Sequence, residues 1–351
     1  MDKLELKSTP NNKIPKGARV ETVITRDGVH LRAVCWQPTK NLNEKGEPRG
    51  TICLFSGRTE FIEKYYEVIE ELRERGFVVA TLDWRGQGLS QRLLRNPFRG
   101  HVRSFNHYHR DLDAFLTKFV SRNCPSPYFA LAHSMGGHIL FSQARGGLSR
   151  FFDRMILTAP MLHLAPRMLF GLHWLSPGRN ATNHKIVSQR TTRLLTRFIR
   201  FCGFGWAYVF GGGDEIIHAF KGNLITSDEK RFDRFNELLA AHPELGIGSA
   251  TNSWLNSACG SMKKILKFKY IRAIDVPILI VASGADQIVS TTSIEKITTK
   301  MRAGHHIIIN NARHEIMLES DEFRNQFWAA FDAFIPGEAS KVRDEEEKIR
   351  F

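Results

Sequence analysis

Short apolar runs without charge alternate with helical stretches along most of this chain, and that rhythm leaves few folds open. The runs at Thr51–Phe55, 77–82, 128–132, 155–158, 277–282 and 306–309 are each four to six residues long. Between and after them, helical spacing covers 62–75, 108–120, 135–144, a stretch after Thr291, and 316–334. A strand that is apolar on both of its alternating faces must be covered on both, and intervening helices supply the covers. The expected class is therefore α/β, with a mostly parallel sheet between two helical layers. Near the start, 20–25 and 29–36 alternate apolar and polar residues and meet at Asp27-Gly28, which reads as an antiparallel hairpin.

Residues 161–264 break the rhythm. They carry helical periodicity, many aromatics and the run Gly211-Gly212-Gly213, but no convincing buried strand. This stretch reads as a helical insert lying over the carboxyl edge of the sheet, where open α/β sheets bind ligands. It divides the core into 17–160 and 265–335. The tail, 336–351, mixes charges densely and reads as a solvated helix or a fraying end.

The chemistry enters where a strand ends at Ala132 and a helix begins. Ala132-His133-Ser134-Met135-Gly136 has the form of a nucleophile elbow, with alanine where the first glycine is usual. Small residues on both sides of Ser134 let the chain turn sharply and expose the hydroxyl. The Met135 N–H, at a helix N-terminus, would then face a developing oxyanion. A serine that merely caps a helix is the plainer alternative.

A serine hydroxyl needs a base, and the base needs an orienting acid, in the chain order Ser, acid, His. Asp286 follows the apolar run at 277–282, and His314 follows the run at 306–309. Their separation leaves room for one helix and one strand. His133, His305 and His306 read as structural. A second oxyanion donor is expected in the loop after Phe55, where the Arg58 N–H is the candidate. Its side chain could instead serve as a cation for an anionic substrate, or simply lie on the surface. The turn over residues 83–90 (DWRGQGLS) reads as a brace for the site, because its G-x-G lacks the third glycine and helix of a dinucleotide motif.

With these pieces placed, the chain resembles the α/β-hydrolase superfamily, and within it the monoacylglycerol lipase and bacterial lysophospholipase group. The matching segments are SGRTEFIEKY from Ser56, LDWRGQGLS from Leu82, AHSMGG from Ala132, LITSDEKRFDRF from Leu224, SGADQIV from Ser283 and RHEIMLE from Arg313. The resemblance implies an eight-stranded, mostly parallel sheet, a helical lid and an acyl-enzyme mechanism. It implies Ser134, Asp286 and His314 as the triad, with Arg58 and Met135 as oxyanion donors. Ser56-Gly57 stands where many relatives have His-Gly, which leans toward the lysophospholipase branch. The implied activity is hydrolysis of the acyl ester of a single-chain lipid. Other acyl hydrolases on the same scaffold (esterase, thioesterase or peptidase) and a catalytically silent binding protein are the alternatives.

Charge points to the partner. Lys and Arg total 50 against 36 Asp and Glu, a net charge of +14. Between 161 and 200 there are seven basic residues and no acidic one. At about 100° per residue, Arg190, Arg193, Arg197 and Arg200 gather on one side of a helix, with Leu194, Leu195, Phe198, Ile199 and Phe201 on the other. Such a helix either lies on anionic lipid or packs its apolar face on the core with the arginines solvated. Nucleic acid is not expected, since no base-reading motif accompanies the charge.

Five scattered cysteines without a C-x-x-C pair read as reduced thiols, and no metal or organic cofactor is implied. The N-terminus has no secretory pattern, so a cytoplasmic location, peripheral on the membrane, is expected. The longest nearly uncharged run, 201–213, falls short of the roughly 20 residues a membrane span needs.

Overall fold

In a computed structural model, described here for residues 5–40, 42, 46–165 and 189–336, the apolar runs form one eight-stranded sheet. The strands are β1 (Arg19–Ile24), β2 (His30–Trp36), β3 (Thr51–Phe55), β4 (Val78–Leu82), β5 (Tyr128–His133), β6 (Arg154–Thr158), β7 (Ile278–Ser283) and β8 (Gly304–Ile309). Their order across the sheet is β1-β2-β4-β3-β5-β6-β7-β8. The expected hairpin is β1 and β2, and β2 also pairs antiparallel with β4; every other pair is parallel.

Both faces of the central strands are buried, for the reason their composition gives. Cys53 and Phe55 of β3 point into one apolar cluster, while Ile52 and Leu54 point into another on the opposite face. The longer helices among the described residues are α1 (Tyr66–Glu74), α2 (Asn106–Phe115), α3 (Ser134–Phe141), α4 (Gln189–Ile199), α5 (Glu229–Ala241), α6 (Asn252–Ile265), α7 (Thr291–Thr298) and α8 (Asp321–Phe334). Val68, Ile69 and Leu72 of α1 and Phe327 and Phe331 of α8 fill one cluster. Tyr108, Leu112 and Phe115 of α2 join Ile139 and Leu140 of α3 in the other.

The chain passes from β3 outward to β4, then returns to the other side of β3 as β5. The carboxyl ends of β3 and β5 therefore flank the point where strand order reverses, which is the ligand crevice of an open parallel sheet. β3 ends in the 56–60 loop and β5 ends at Ser134.

Between β6 and β7 lie α4, α5 and α6. Trp254, Ala258, Cys259, Met262 and Ile265 of α6 belong to the same apolar cluster as α2 and α3. α4 rests on α6 through small side chains: Thr192 and Thr196 are its buried residues. Asn256 donates to the Arg193 carbonyl at 2.9 Å, and Arg193 lies against Gly260, which has no side chain to obstruct it. The packing expected as the alternative, with the apolar face on the core, is not what is found. Leu194, Leu195, Phe198 and Phe201 are 59–87% exposed, so the apolar stripe faces outward. The physical reason is that two helices approach more closely over Thr and Gly than over Leu and Phe.

Arg167, Arg179 and Lys185 of the basic run, and the tail from 337 onward, lie outside the described residues. Among the described residues, no helix is long and apolar enough to cross a membrane.

Candidate active site

Ser134 sits at φ 48°, in the left-handed region that a side-chain-bearing residue adopts only at a cost. The turn between β5 and α3 is that tight because its neighbours are small. A Cβ on Gly136 would lie 2.7 Å from the Ser56 carbonyl oxygen and 2.8 Å from that of Phe55. The helix start is thus pressed against the end of β3, and only glycine fits. Alanine at position 132 is accommodated without difficulty, since it is an interior strand residue paired with Phe55.

His314 Nε2 lies 2.8 Å from Ser134 Oγ, and His314 Nδ1 lies 2.7 Å from Asp286 Oδ2. An ionised carboxylate only accepts, so Nδ1 carries the ring proton and donates it to Asp286. Nε2 is then free to accept from the serine hydroxyl. The other oxygen of Asp286 accepts the N–H groups of Ile288 and Val289 at 2.8 and 3.0 Å. Burial alone would raise the Asp286 carboxyl, but the His314 charge, its hydrogen bond and those two N–H donors hold it below the usual range. Burial works against the imidazolium of His314, yet Asp286, with the charges of Glu315 and Glu60, raises it above an ordinary histidine.

The two oxyanion candidates lie on segments packed together: Met135 is at the start of α3, whose Gly136 abuts the carbonyls of Phe55 and Ser56, and Arg58 is in the loop that follows them. Met135 is fully buried in the first turn of α3, where N–H groups have no intrahelical partner. In the 56–60 loop, Glu60 accepts the Gly57 N–H and Gln87 Oε1 accepts the Thr59 N–H at 3.3 Å. The Arg58 N–H stands between them. The Arg58 side chain is not a surface group: it donates to the Gly248 carbonyl at 2.7 Å and its guanidinium stacks 5.1 Å from the Trp254 ring. Arg190, Arg193, Arg197 and Arg200 stand apart, on and just after α4. The turn at 83–90 braces the loop as expected, with Gln87 Nε2 donating to the Gly57 and Glu60 carbonyls and the Trp84 indole donating to that of Ser56.

Two supports had no signal in the sequence. The first is a buried charge cluster behind His314. Lys64 bridges Glu60 at 3.0 Å and Glu315 at 2.5 Å, with all three side chains less than a tenth exposed. Burial raises the Glu315 carboxyl despite its lysine. His133 lies beside His314, ring centres 4.8 Å apart, and burial lowers it to about 4, so it stays neutral. The second support ties the histidine loop to residues 223–231. The Glu315 N–H donates to the Ile225 carbonyl, Arg313 to the Thr226 carbonyl, and the Ser227 N–H to Glu319, each at 2.8 Å. Partners ninety residues apart leave no periodic trace.

A left-handed serine on a strand–helix turn, bonded through histidine to a buried aspartate at the switch point of a parallel sheet, defines a serine hydrolase of the α/β-hydrolase superfamily. The family model described as serine aminopeptidase, S33 matches residues 46–321, and the chain belongs to that family. Lysophospholipase L2 of Escherichia coli K12 is 30% identical over 286 residues, which cover 78% of this chain and 76% of the relative. Probable lysophospholipase L2 of Haemophilus influenzae is 26% identical over 287 residues, 82% and 84% of the two chains. Among solved structures, a soluble variant of monoglyceride lipase from Saccharomyces cerevisiae, bound to a substrate analog, superposes with a TM-score of 0.68. It is 20% identical, over 93% of this chain and 100% of that one. At that identity the likeness speaks for the fold.

Proposed function

We propose that this protein hydrolyses the acyl ester of single-chain lipids, lysophospholipids foremost and monoacylglycerols beside them, through an acyl-enzyme on Ser134. The observation that carries this reading is the unbroken relay from Ser134 through His314 to Asp286. His314 Nε2 takes the hydroxyl proton as Ser134 Oγ attacks the ester carbonyl carbon. The N–H groups of Met135 and Arg58 hold the resulting oxyanion, and Asp286 stabilises the imidazolium. Collapse breaks the bond to the leaving alcohol, which receives its proton from His314. Water, activated by the same histidine, then releases the fatty acid and restores the serine. Relatives named lysophospholipase and phospholipase support the lipid ester as substrate.

An aminopeptidase would need a free carboxylate near the serine to hold a substrate ammonium. The buried carboxylates there, Glu60 and Glu315, are both taken by Lys64. That favours the ester. A fluorophosphonate probe should label the wild type and fail on Ser134→Ala. Rates on a lysophospholipid, a monoacylglycerol and a short-chain ester of the same acid should rank in that order. Undiminished labelling of Ser134→Ala would defeat the assignment.

Residues 161–264 act in this reading as the cap over the acyl site, and α4 is its contact with lipid at the cytoplasmic face of the membrane. Its outward apolar stripe of Leu194, Leu195, Phe198 and Phe201 is flanked by exposed Arg190, Arg197 and Arg200, the pattern of an interfacial helix on anionic headgroups. Binding to anionic liposomes should weaken with salt and drop in the triple variant Arg190→Ala, Arg193→Ala, Arg197→Ala. Binding indifferent to both would remove the docking role.

A further inference from the structure

Arg58 has a side chain that the catalytic steps above do not use. Its backbone belongs to the loop beside Ser134, and its guanidinium reaches under residues 247–254. There it meets the Gly248 carbonyl and the Trp254 ring. Gly100 makes the room: a Cβ at that position would lie 2.4 Å from an Arg58 nitrogen. Two fully buried arginines of the region are matched by acids, whereas the partly buried Arg92, like Arg58, donates only to carbonyls, those of Gly86, Glu244 and Gly246. Arg85 is bonded to Asp27 and Asp111, and Arg32 to Glu63 and Asp83. Arg58 makes no ion pair among the described residues, and its buried Nε–H has no acceptor. Burial pushes it down to about 10, which leaves it charged at neutral pH.

A partly buried guanidinium without a counter-charge, carrying an unused donor, is suited to an anion. Position says which anion. With the Arg58 N–H as oxyanion donor, as proposed above, the arginine side chain would lead away from the reacting centre by several bonds, a length comparable to the glyceryl spacer between a lysophospholipid's ester and its phosphate. We propose that the Arg58 guanidinium is the subsite for the phosphate of the lipid headgroup, exchanging its bond to the Gly248 carbonyl for the phosphate oxygens. The inference rests on the lipid-ester reading and deepens it: Arg58 is what ranks a phosphate-bearing lipid above a neutral glyceride.

The test compares a lysophosphatidyl lipid with a monoacylglycerol of the same acyl chain, on wild type, Arg58→Gln and Arg58→Lys. The readout is the ratio of the two kcat/KM values, which is insensitive to any uniform loss. Removing a charge-assisted fork should cut the ratio at least about tenfold in Arg58→Gln, with partial recovery in Arg58→Lys. An unchanged ratio overturns the subsite. If Arg58→Gln does not fold, Arg58→Lys carries the same comparison, because it keeps the charge and loses the fork. Wild type inert on both lipids would instead defeat the lipid-ester reading. In that case inhibition of short aryl-ester hydrolysis by glycerol phosphate still decides. Its Ki should rise about tenfold in Arg58→Gln, and an unmoved Ki overturns the proposal. Inorganic phosphate binding as tightly as glycerol phosphate would mark a bare anion site and overturn the headgroup assignment.

Discussion

Replacing Asp286 by asparagine changes one atom, and the surroundings of that atom dictate the outcome. Asp286 Oδ1 accepts two backbone N–H groups, from Ile288 at 2.8 Å and Val289 at 3.0 Å. An asparagine keeps its carbonyl oxygen there, since turning the NH2 toward two donors would lose both bonds. The NH2 therefore lands on His314 Nδ1, 2.7 Å away in the wild type. Facing a donor, Nδ1 must accept, which moves the ring proton to Nε2. Nε2 now points a proton at the Ser134 hydroxyl and has no lone pair with which to take one. The histidine is held in place but in the wrong tautomer. Triads altered in this way lose about 10⁴ in kcat, equivalent to about 5 kcal/mol of barrier. The assay is kcat/KM on a soluble ester, alongside the rate of fluorophosphonate labelling. Both should fall together, while the thermal midpoint stays near that of wild type because both N–H bonds persist. Asp286→Ala gives the contrast: two buried N–H groups lose their acceptor, at about 1–3 kcal/mol each, and stability falls with activity. A loss below about tenfold in Asp286→Asn would refute the tautomer argument.

Lys64→Met leaves Glu60 and Glu315 buried without their cation, and should cost about 3–5 kcal/mol of stability at pH 8. Glu315 already has a raised pKa when folded, so its charge opposes folding at high pH; the deficit should shrink as pH falls and the carboxylates protonate. Equal losses by denaturant titration at pH 5 and pH 8 would contradict this. Hydrolysis requires neutral His314, whose pKa is raised, so kcat/KM should climb with pH through a limb above that of an ordinary histidine. Glu315→Gln removes one of the raising charges and should move that limb to lower pH; a limb that stays put would deny the coupling. Gly136→Ala drives a methyl group to within 2.7 Å of the Ser56 carbonyl. It should displace the loop bearing Arg58 and lower kcat about a hundredfold, with near-normal activity as the adverse result.

The strands were legible because burial on both faces demands uncharged residues at every position, a signal contained within five or six neighbours. β3 begins and ends where its apolar run does, and β5 gains only His133 beyond its own. The elbow was legible for a similar reason: small residues around Ser134 are a local steric requirement. Asp286 and His314 could be found because chain order and the ends of apolar runs narrow the choice to loops on one edge of the sheet.

What local pattern could not carry was the choice of partner. The spacing of Leu194, Leu195 and Phe198 says they share one side of a helix, not whether anything meets that side. Thr192 and Thr196 took the contact with α6, because close approach of the two backbones outweighed the area that the leucines offered. Lys64 and Glu315 lie 251 positions apart, and nothing near either predicts the other. Apolar pattern and turn sterics act between neighbours in the chain and can be read in one dimension. Ion pairing, helix contact and the enclosure of Arg58 depend on which surfaces the completed sheet brings within a few ångströms, and only the folded molecule decides that.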